Sequence, residues 1–420
     1  MSAIQPLAQS FVKVYESPLP ASVYCYSPGI TRLSSGRLVV SLDLSGPGAR
    51  ELPGPWQQIE AGFWWSGKVF TSDDRGSTWT HKTDFPFMHA RPFTAGSSLY
   101  VLGHCHDLTI MRSDDEGETW SEPVRLTDGQ EWHQAPCNVH YTQDSIYLVM
   151  EKKVHNDMLG WPVSVFAPVL MRGRLDTDLT KRENWTFASE LVFRDAVPAQ
   201  ELNYFGVPFF LTPPKSLVAI APGREASPIG WLETNVVQIV DPSHYWYSEE
   251  RTFHLWMRAH TGGTGYAALA KVVEHSDGSM TTMLETVPSG KTVVYVPCPG
   301  GQMKFHILYD EVTRLYWLLS SQATDSMTRA ELLSPERFNL PNNERHRLQL
   351  HFSKNCIDWC FAGLVATGGT DRECRHYASM VIDGEDLHLV SRSGDAHAAD
   401  AHNGNIISFH SIPRFRDLVY

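Results

Sequence analysis

Ser72-Asp73-Asp74-Arg75-Gly76-Ser77-Thr78-Trp79 recurs almost letter for letter 41 residues later, as Ser113-Asp114-Asp115-Glu116-Gly117-Glu118-Thr119-Trp120. Both stretches read S-x-D-x-G-x-T-W, and strand-like runs precede them, Lys68-Val69-Phe70-Thr71 and Leu108-Thr109-Ile110-Met111-Arg112. The pattern is that of a tight hairpin. Asp and Ser side chains can accept backbone amides inside a turn, and Gly supplies the positive φ that the turn needs. Thr and Trp then open the returning strand, with the indole expected to fold over its own turn. Two copies, each set between strand-like runs, predict repeated β-hairpins.

The motif resembles the Asp box of the sialidase (BNR-repeat) superfamily, whose members are β-propellers. In that family the box sits on outer turns, away from the central site, so the resemblance implies a fold and leaves the chemistry open. The rest of the chain fits an all-β, six-bladed propeller of sialidase type, although the spacing also admits five or seven blades. Phe11–Tyr15 is a lone first strand placed to close the ring against the last blade. Blade one reads Val23–Leu33, Arg37–Leu44 and Ala61–Phe70, with Ser45–Glu60 as a long face loop; blade two runs from His89 to Leu126. Blade three starts at Trp132 and ends in a degenerate outer turn at Asp176–Trp185, and blade four carries Gly230–Val240, Thr252–His260 and Ala267–Glu274. Blade five spans Gly301–Leu308 and Leu315–Ser320 and closes at the shortened box Ser353–Trp359. Blade six holds His376–Ile382, Leu387–Ser391 and Asn405–His410, while Met327–Arg347 reads as a polar, partly helical insertion. Nothing resembling a linker divides the chain, so residues 1–420 are expected to form one domain.

Composition narrows the function. A net charge of −12 and the lack of a Lys/Arg run exclude a phosphate-tracking surface, so no nucleic-acid or membrane partner is expected. An anionic substrate would need a local cationic cluster working against that field. Thirteen Trp, fifteen Tyr and nineteen Phe supply flat faces of the kind that sugar clefts use. Seven scattered Cys without a C-x-x-C pair read as buried free thiols, and Cys356 and Cys360 are too isolated for a zinc site. The opening residues lack a leader pattern and no run reaches membrane-spanning length, so a cytoplasmic protein is expected unless a leader was removed.

Chemistry in a propeller is expected from polar residues on innermost strands. Glu233 and Asn235 interrupt an apolar strand, and a buried carboxylate needs a partner or a raised pKa. Arg258 and Arg392 lie in apolar strands and demand anionic partners, either Glu233 or a substrate carboxylate. Glu151, His133, Lys304, His306, Tyr377, His402 and Asn403 complete the candidates. Asp400–Asn405 has the residue types of a turn as well as those of a sugar contact. His104-Cys105-His106-Asp107 invites a metal reading but offers no third ligand by spacing.

The sialidase resemblance implies an arginine triad, a Tyr–Glu nucleophile pair and an Asp acid/base. The Arg-Ile-Pro that opens the family's first blade is absent, since Tyr26-Ser-Pro-Gly-Ile-Thr-Arg32 puts its Arg on the wrong strand face. Gly230-Trp-Leu-Glu-Thr-Asn, Gly301-Gln-Met-Lys-Phe, Leu315-Tyr-Trp-Leu-Leu and Ser391-Arg-Ser-Gly-Asp with Ala401–His410 are instead similar to a branch of sialidase-like propellers labelled sialidase or glycosyl hydrolase by similarity. The expected function is an exo-acting glycoside hydrolase on an acidic or complex oligosaccharide. Glu233 and Glu151 would be its carboxylate pair, and His133 and His402 would transfer protons or contact substrate. Arg258, Arg392, Asn235, Lys304, His306 and Asn403 would bind that oligosaccharide. A lyase using His133 or Tyr377 as base, with Arg neutralising a uronate, is the second reading. A non-catalytic glycan-binding propeller is the third. No cofactor is expected, a structural cation such as calcium aside, and the number of subunits is open.

Overall fold

The computed structural model describes residues 4–60, 62–197, 215–334 and 342–420. Among these residues the strands form six antiparallel blades in a ring, an all-β, six-bladed propeller. Blade one comprises Tyr24–Arg32, Leu38–Ser45, Phe63–Ser72 and Thr80–Phe85 from axis to rim. Blade two follows with Met88–Ala95, Ser98–Cys105, Asp107–Ser113 and Val124–Arg125. In blade three the inner strand is split into Trp132–His133 and His140–Tyr141, both paired to Ser145–Lys153. Phe166–Arg174 and Trp185–Phe187 complete it. Blade four is Gly230–Val237, Thr252–His260, Tyr266–Glu274 and Met280–Met283, and blade five is His306–Asp310, Leu315–Ser321, Arg347–Ser353 and Cys360–Thr367. Blade six supplies Arg375–Asp383, Asp386–Ser393 and Ile406–Ile412 and takes its rim strand, Val12–Glu16, from the N-terminal end. That pairing sets Val12 opposite Phe409 and Glu16 opposite Ile406, so the two ends of the chain lock the ring.

A middle strand shows why the sequence takes this form. Leu38–Ser45 is buried along its whole length because each face of a blade is covered by a neighbour. Leu38, Val40, Leu42 and Leu44 pack with Val390 and Ile407 of blade six, whereas Val39 packs with Val101 and Met111 of blade two. Ser41 and Asp43 share the blade-two face, where Ser41 Oγ donates to Ala90 O and Asp43 Oδ2 accepts from His89 N at 2.7 Å. Period-two alternation here separates two apolar interfaces rather than inside from outside. Each such side chain, fully buried, contributes about 1.5–3 kcal/mol.

The repeated turns have matching geometry. Gly76 N donates to Ser72 Oγ (2.8 Å), Thr78 N to Asp74 Oδ1 (2.8 Å) and Thr78 Oγ1 to Asp74 Oδ2 (2.6 Å). Ser113, Asp115, Gly117 and Thr119 repeat the set. The Thr78 and Thr119 bonds hold the carboxyls of Asp74 and Asp115 down to about 2. Trp120 folds back as expected, its Nε1 donating to Gly117 O at 3.0 Å. Trp79 instead packs on Phe409 of blade six, with ring centroids 5.4 Å apart. The first turn therefore staples blade one to blade six. Gly76 has φ 88°, and a Cβ there would lie 2.1 Å from the Phe409 ring. Gly76→Ala is accordingly expected to cost about 1–3 kcal/mol through strain and overpacking. Gly117→Ala meets its nearest neighbour only at 3.4 Å and should cost less. Paired thermal melts check this order.

The insertions differ in detail from expectation. The loop after Ser45 contains a 3-10 turn, Ala49–Glu51, and a short strand, Gln57–Glu60, that pairs with Phe63–Trp65. Ala61, expected to start a strand, lies outside the described residues, as do residues 335–341 of the Met327–Arg347 insertion. The described part of that insertion holds one 3-10 turn, Ala330–Leu332. No disulfide joins the cysteines, five of which are buried, with Cys105 and Cys360 half-buried. Among the described residues no helix is long and apolar enough to cross a membrane.

Candidate functional site

Four inner strands carry the same irregularity. Register breaks at Tyr26/Gly29, Met88/Arg91, Leu232/Asn235 and His376/Ser379. Each break holds one left-handed residue, namely Ser27 (φ 42°), His89 (φ 54°), Glu233 (φ 58°) and Tyr377 (φ 52°). Non-glycine residues in that region cost of order 1–3 kcal/mol each, and bulges re-aim side chains. Here they turn His89, Glu233 and Tyr377 into one cavity of about 780 Å³ at an end of the central channel.

Arg258 organises the floor. Its Nη1 donates to Glu233 Oε2 (3.3 Å) and Tyr377 Oη (2.8 Å), and its Nε to Gln302 O (2.8 Å). Burial, then the Glu233 charge, raises the Tyr377 phenol above its ordinary range. Arg392 lies between two aromatic rings, its guanidinium carbon 4.3 Å from the Tyr26 centroid and 4.4 Å from that of Tyr377. Arg392 donates to His402 O at 3.1 Å, its Nε is buried without a partner, and among the described residues it pairs with no carboxylate. Arg345, delivered by the insertion before blade five's third strand, also lines the cavity and lies 5.8 Å from the Tyr377 ring. Three guanidinium groups thus surround one tyrosine, and one of them, Arg258, also holds Glu233.

The other walls are aromatic and imidazole-rich. Trp65, Trp161 and Phe166 line the cavity, with His133 stacked on Phe166 at 5.3 Å. Burial holds the His133 imidazole down to about 4, against the attraction of Glu233. His402 and Asn403 reach the cavity from a turn built on Asp400, which accepts from both their backbone amides at 2.7 and 2.8 Å. That stretch is a structural turn and a wall of the site at once. Tyr26 Oη donates to Asn403 Oδ1 at 2.6 Å.

The structure thus brings Glu233, His133, His402, Tyr377, Arg258, Arg392 and Asn403 together. Glu151, Asn235, Lys304 and His306 stand outside the cavity. Asn235 is an interblade clasp, donating to Phe305 O and accepting from Ile307 N. Lys304 pins the axis, donating to Ala378 O and to Ser379 Oγ at 2.8 Å. His306 faces a separate cavity of about 100 Å³ near Arg91. Arg32 pairs with Asp383 at 2.5 Å, away from the site.

Glu151 is fully buried and does not line the cavity, with Oε1 held by the N (3.1 Å) and Oγ1 (2.7 Å) of Thr234, next to Glu233 in the chain. Burial raises its carboxyl to about 8 from an ordinary 4.5. A folded pKa above the unfolded one means that stability is fully present below the unfolded value and is lost as pH rises through the folded one. The stability that Glu151 contributes should therefore decline between about pH 5 and pH 8.5, against the opposite trend of the buried histidines, whose lowered pKa values make stability rise with pH up to about 6.5. Glu151→Gln should flatten that decline, because its amide oxygen can take both Thr234 bonds without a charge. Parallel melts across that range check it.

His89, His104 and Arg345 were missed as members of the cavity, though one sequence signal was available. His89-Ala-Arg-Pro92 and His133-Gln-Ala-Pro136 are the same H-x-x-P at corresponding inner strands. The metal reading at residues 104–107 also changes. His104 groups with His89 and His133, whereas His106 turns to Glu131 (2.8 Å) and Asp107 ties the loop at Thr127, Gly129 and Gln130.

No protein-family model matches this sequence, and no curated protein matches it either. Solved structures do. A Penicillium chrysogenum alpha-L-arabinanase complexed with arabinobiose superposes with a TM-score of 0.52 at 12% identity, covering 99% of this chain and 100% of that one. Trypanosoma rangeli sialidase in complex with the inhibitor DANA gives 0.52 at 13% identity over 97% of this chain and 60% of that one. The fold is the sialidase-type propeller. A Dyadobacter fermentans protein of unknown function has the same propeller, with a TM-score of 0.53 at 10% identity over 99% of this chain and 100% of that one. At such identities the likeness is one of architecture, and the site must be read from its own residues.

Proposed function

We propose that this sialidase-type propeller is a carbohydrate-active enzyme, an exo-acting glycoside hydrolase whose substrate is an acidic oligosaccharide. The observation that carries the reading is Arg392, a buried guanidinium that has no carboxylate partner among the described residues and is held between Tyr26 and Tyr377 beside Arg258 and Arg345. Holding an unpaired cation out of water is costly, and a substrate carboxylate in a bidentate fork offsets that cost. The aromatic walls suit sugar faces. Solved structures sharing the fold include an arabinanase bound to arabinobiose and sialidases, which supports carbohydrate chemistry as the starting point.

The proposed centre is Tyr377 with Glu233. Arg258 bridges both, so it can hold the carboxylate beside the phenol while Glu233 accepts the phenolic proton and Tyr377 attacks the sugar carbon. The proton that Glu233 takes from Tyr377 is available to the leaving oxygen. His133 and His402, both kept neutral by burial, can accept one from the water that then cleaves the glycosyl–tyrosine bond and restores the phenol. Glu151 is not among the residues lining the cavity, and this supports the lyase reading. In that reading Tyr377, its own proton drawn off to Glu233, removes the proton beside a uronate carboxylate that the arginines neutralise. The β carbon–oxygen bond breaks to leave an unsaturated uronate, and the departing oxygen takes up a proton.

Incubation with a panel of acidic oligosaccharides separates the readings. Release of reducing sugar without ultraviolet absorbance supports hydrolysis, and growth of unsaturated-uronate absorbance overturns it in favour of elimination. No product in either channel, with binding seen by calorimetry, leaves a glycan-binding propeller.

A further inference from the structure

We propose that His89, His104 and His133 form a site for one divalent transition-metal ion of the zinc class, with an open coordination position facing the cavity. The three imidazoles come from three strands of two blades, and their donor atoms all lie within 4.8 Å of one another. His89 Nδ1 and His104 Nε2 are 3.1 Å apart. Two nitrogens bound tetrahedrally to zinc at about 2.0–2.1 Å are separated by roughly 3.3 Å, so this pair is already near ligand spacing. His133, with its ring centroid 4.9 Å from that of His89 and 5.6 Å from that of His104, needs only a small closure to complete the set.

Local structure favours this arrangement. His89 reaches the cluster from a left-handed backbone position, and its amide is fixed by Asp43 at 2.7 Å. His133 is stacked on Phe166 and stands edge-on to Trp161, while His89 stands edge-on to Trp65. These rings fix the imidazole planes and form an apolar shell, which tunes a bound metal and limits water access.

Donor chemistry selects the ion. Three imidazole nitrogens suit zinc, copper, nickel or cobalt, whereas calcium and magnesium require oxygen. The calcium considered from the sequence therefore does not fit this cluster. All three histidines line the main cavity, so the fourth position points where a water or a sugar oxygen can take it. The site goes beyond the catalytic reading, and a metal bound there would engage His133 and leave the proton transfer considered above to His402. The competing account is a hydrogen-bonded pair of neutral histidines with His133 merely adjacent.

The deciding experiment uses the full chain without a histidine tag, stripped by a chelator and titrated with Co²⁺ under visible absorption. One equivalent producing the d–d bands of a tetrahedral site, discharged by Zn²⁺, is the expected result. His89→Gln, His104→Gln and His133→Gln should each weaken binding by about 100-fold. Failure of the wild type to bind stoichiometrically, or retention of affinity in folded variants, would overturn the site. Should the variants not fold, X-ray absorption of the wild-type zinc complex decides instead. Three imidazole nitrogens at about 2.0 Å support the proposal, and a shell without them sinks it.

Discussion

Glu233→Gln is expected to lower kcat on the acidic oligosaccharide by about 10²–10⁴-fold while leaving KM nearly unchanged. The substitution is isosteric. Its amide oxygen can still accept from Arg258 Nη1, now 3.3 Å from Glu233 Oε2, so the floor of the cavity keeps its geometry. What disappears is the ability to accept the proton of Tyr377, whose phenol is held above its ordinary range by burial and by Glu233 itself. A nucleophile without its base is a poor one. Tyr377→Phe should produce a loss of the same order, and the double variant should be little worse than either, because the two act as one unit. Steady-state kinetics of the three variants, with melting curves to confirm folding, provide the check. A Glu233→Gln enzyme within about threefold of wild type would remove Glu233 from the chemistry.

The second large effect concerns Arg392. Arg392→Ala should reduce kcat/KM on an acidic oligosaccharide by about 100-fold, corresponding to a lost charge-assisted pair of about 2–3 kcal/mol. The same substitution should change little for the methyl ester or carboxyl-reduced form of that oligosaccharide. Arg392→Lys is not expected to rescue it fully. A lysine lacks the planar fork and cannot stack as a plane between Tyr26 and Tyr377. The melting temperature should hold or rise in the unliganded variant, because a buried cation without a counter-ion is removed. Equal losses on charged and uncharged substrates would mean that Arg392 shapes the pocket and does not read the carboxylate.

Legibility in the sequence followed the range of the interactions involved. The S-x-D-x-G-x-T-W turns could be read because their bonds run between residues four apart, Ser72 to Gly76 and Asp74 to Thr78. Glu233, Arg258 and Arg392 could be read because a charge inside an apolar strand must answer for its burial. Glu151 meets that same criterion and yet does not line the cavity, since burial alone does not say whether a charge faces a cavity or a neighbouring strand. Asn235 and Lys304 show the same limit, both serving as ties between blades at the axis. Trp79 finds its partner in Phe409, 330 positions further along the chain, so no local pattern could announce it.

The sequence by itself determined that this is a ring of β-hairpins with charged groups built into its inner strands. Its turn chemistry is local and its alternation has period two. The tertiary structure alone decided which of those groups meet. A bulge with one left-handed residue shifts the phase of an inner strand, and the shifts at His89, Glu233 and Tyr377 aim side chains into a common cavity. Arg345 joins them only because the ring closes, and closure depends on the first strand pairing with the last blade, whereas His104 comes from the hairpin strand beside His89. Alternation counted along the chain cannot detect a bulge in advance, because the extra residue is stabilised by neighbours from other blades.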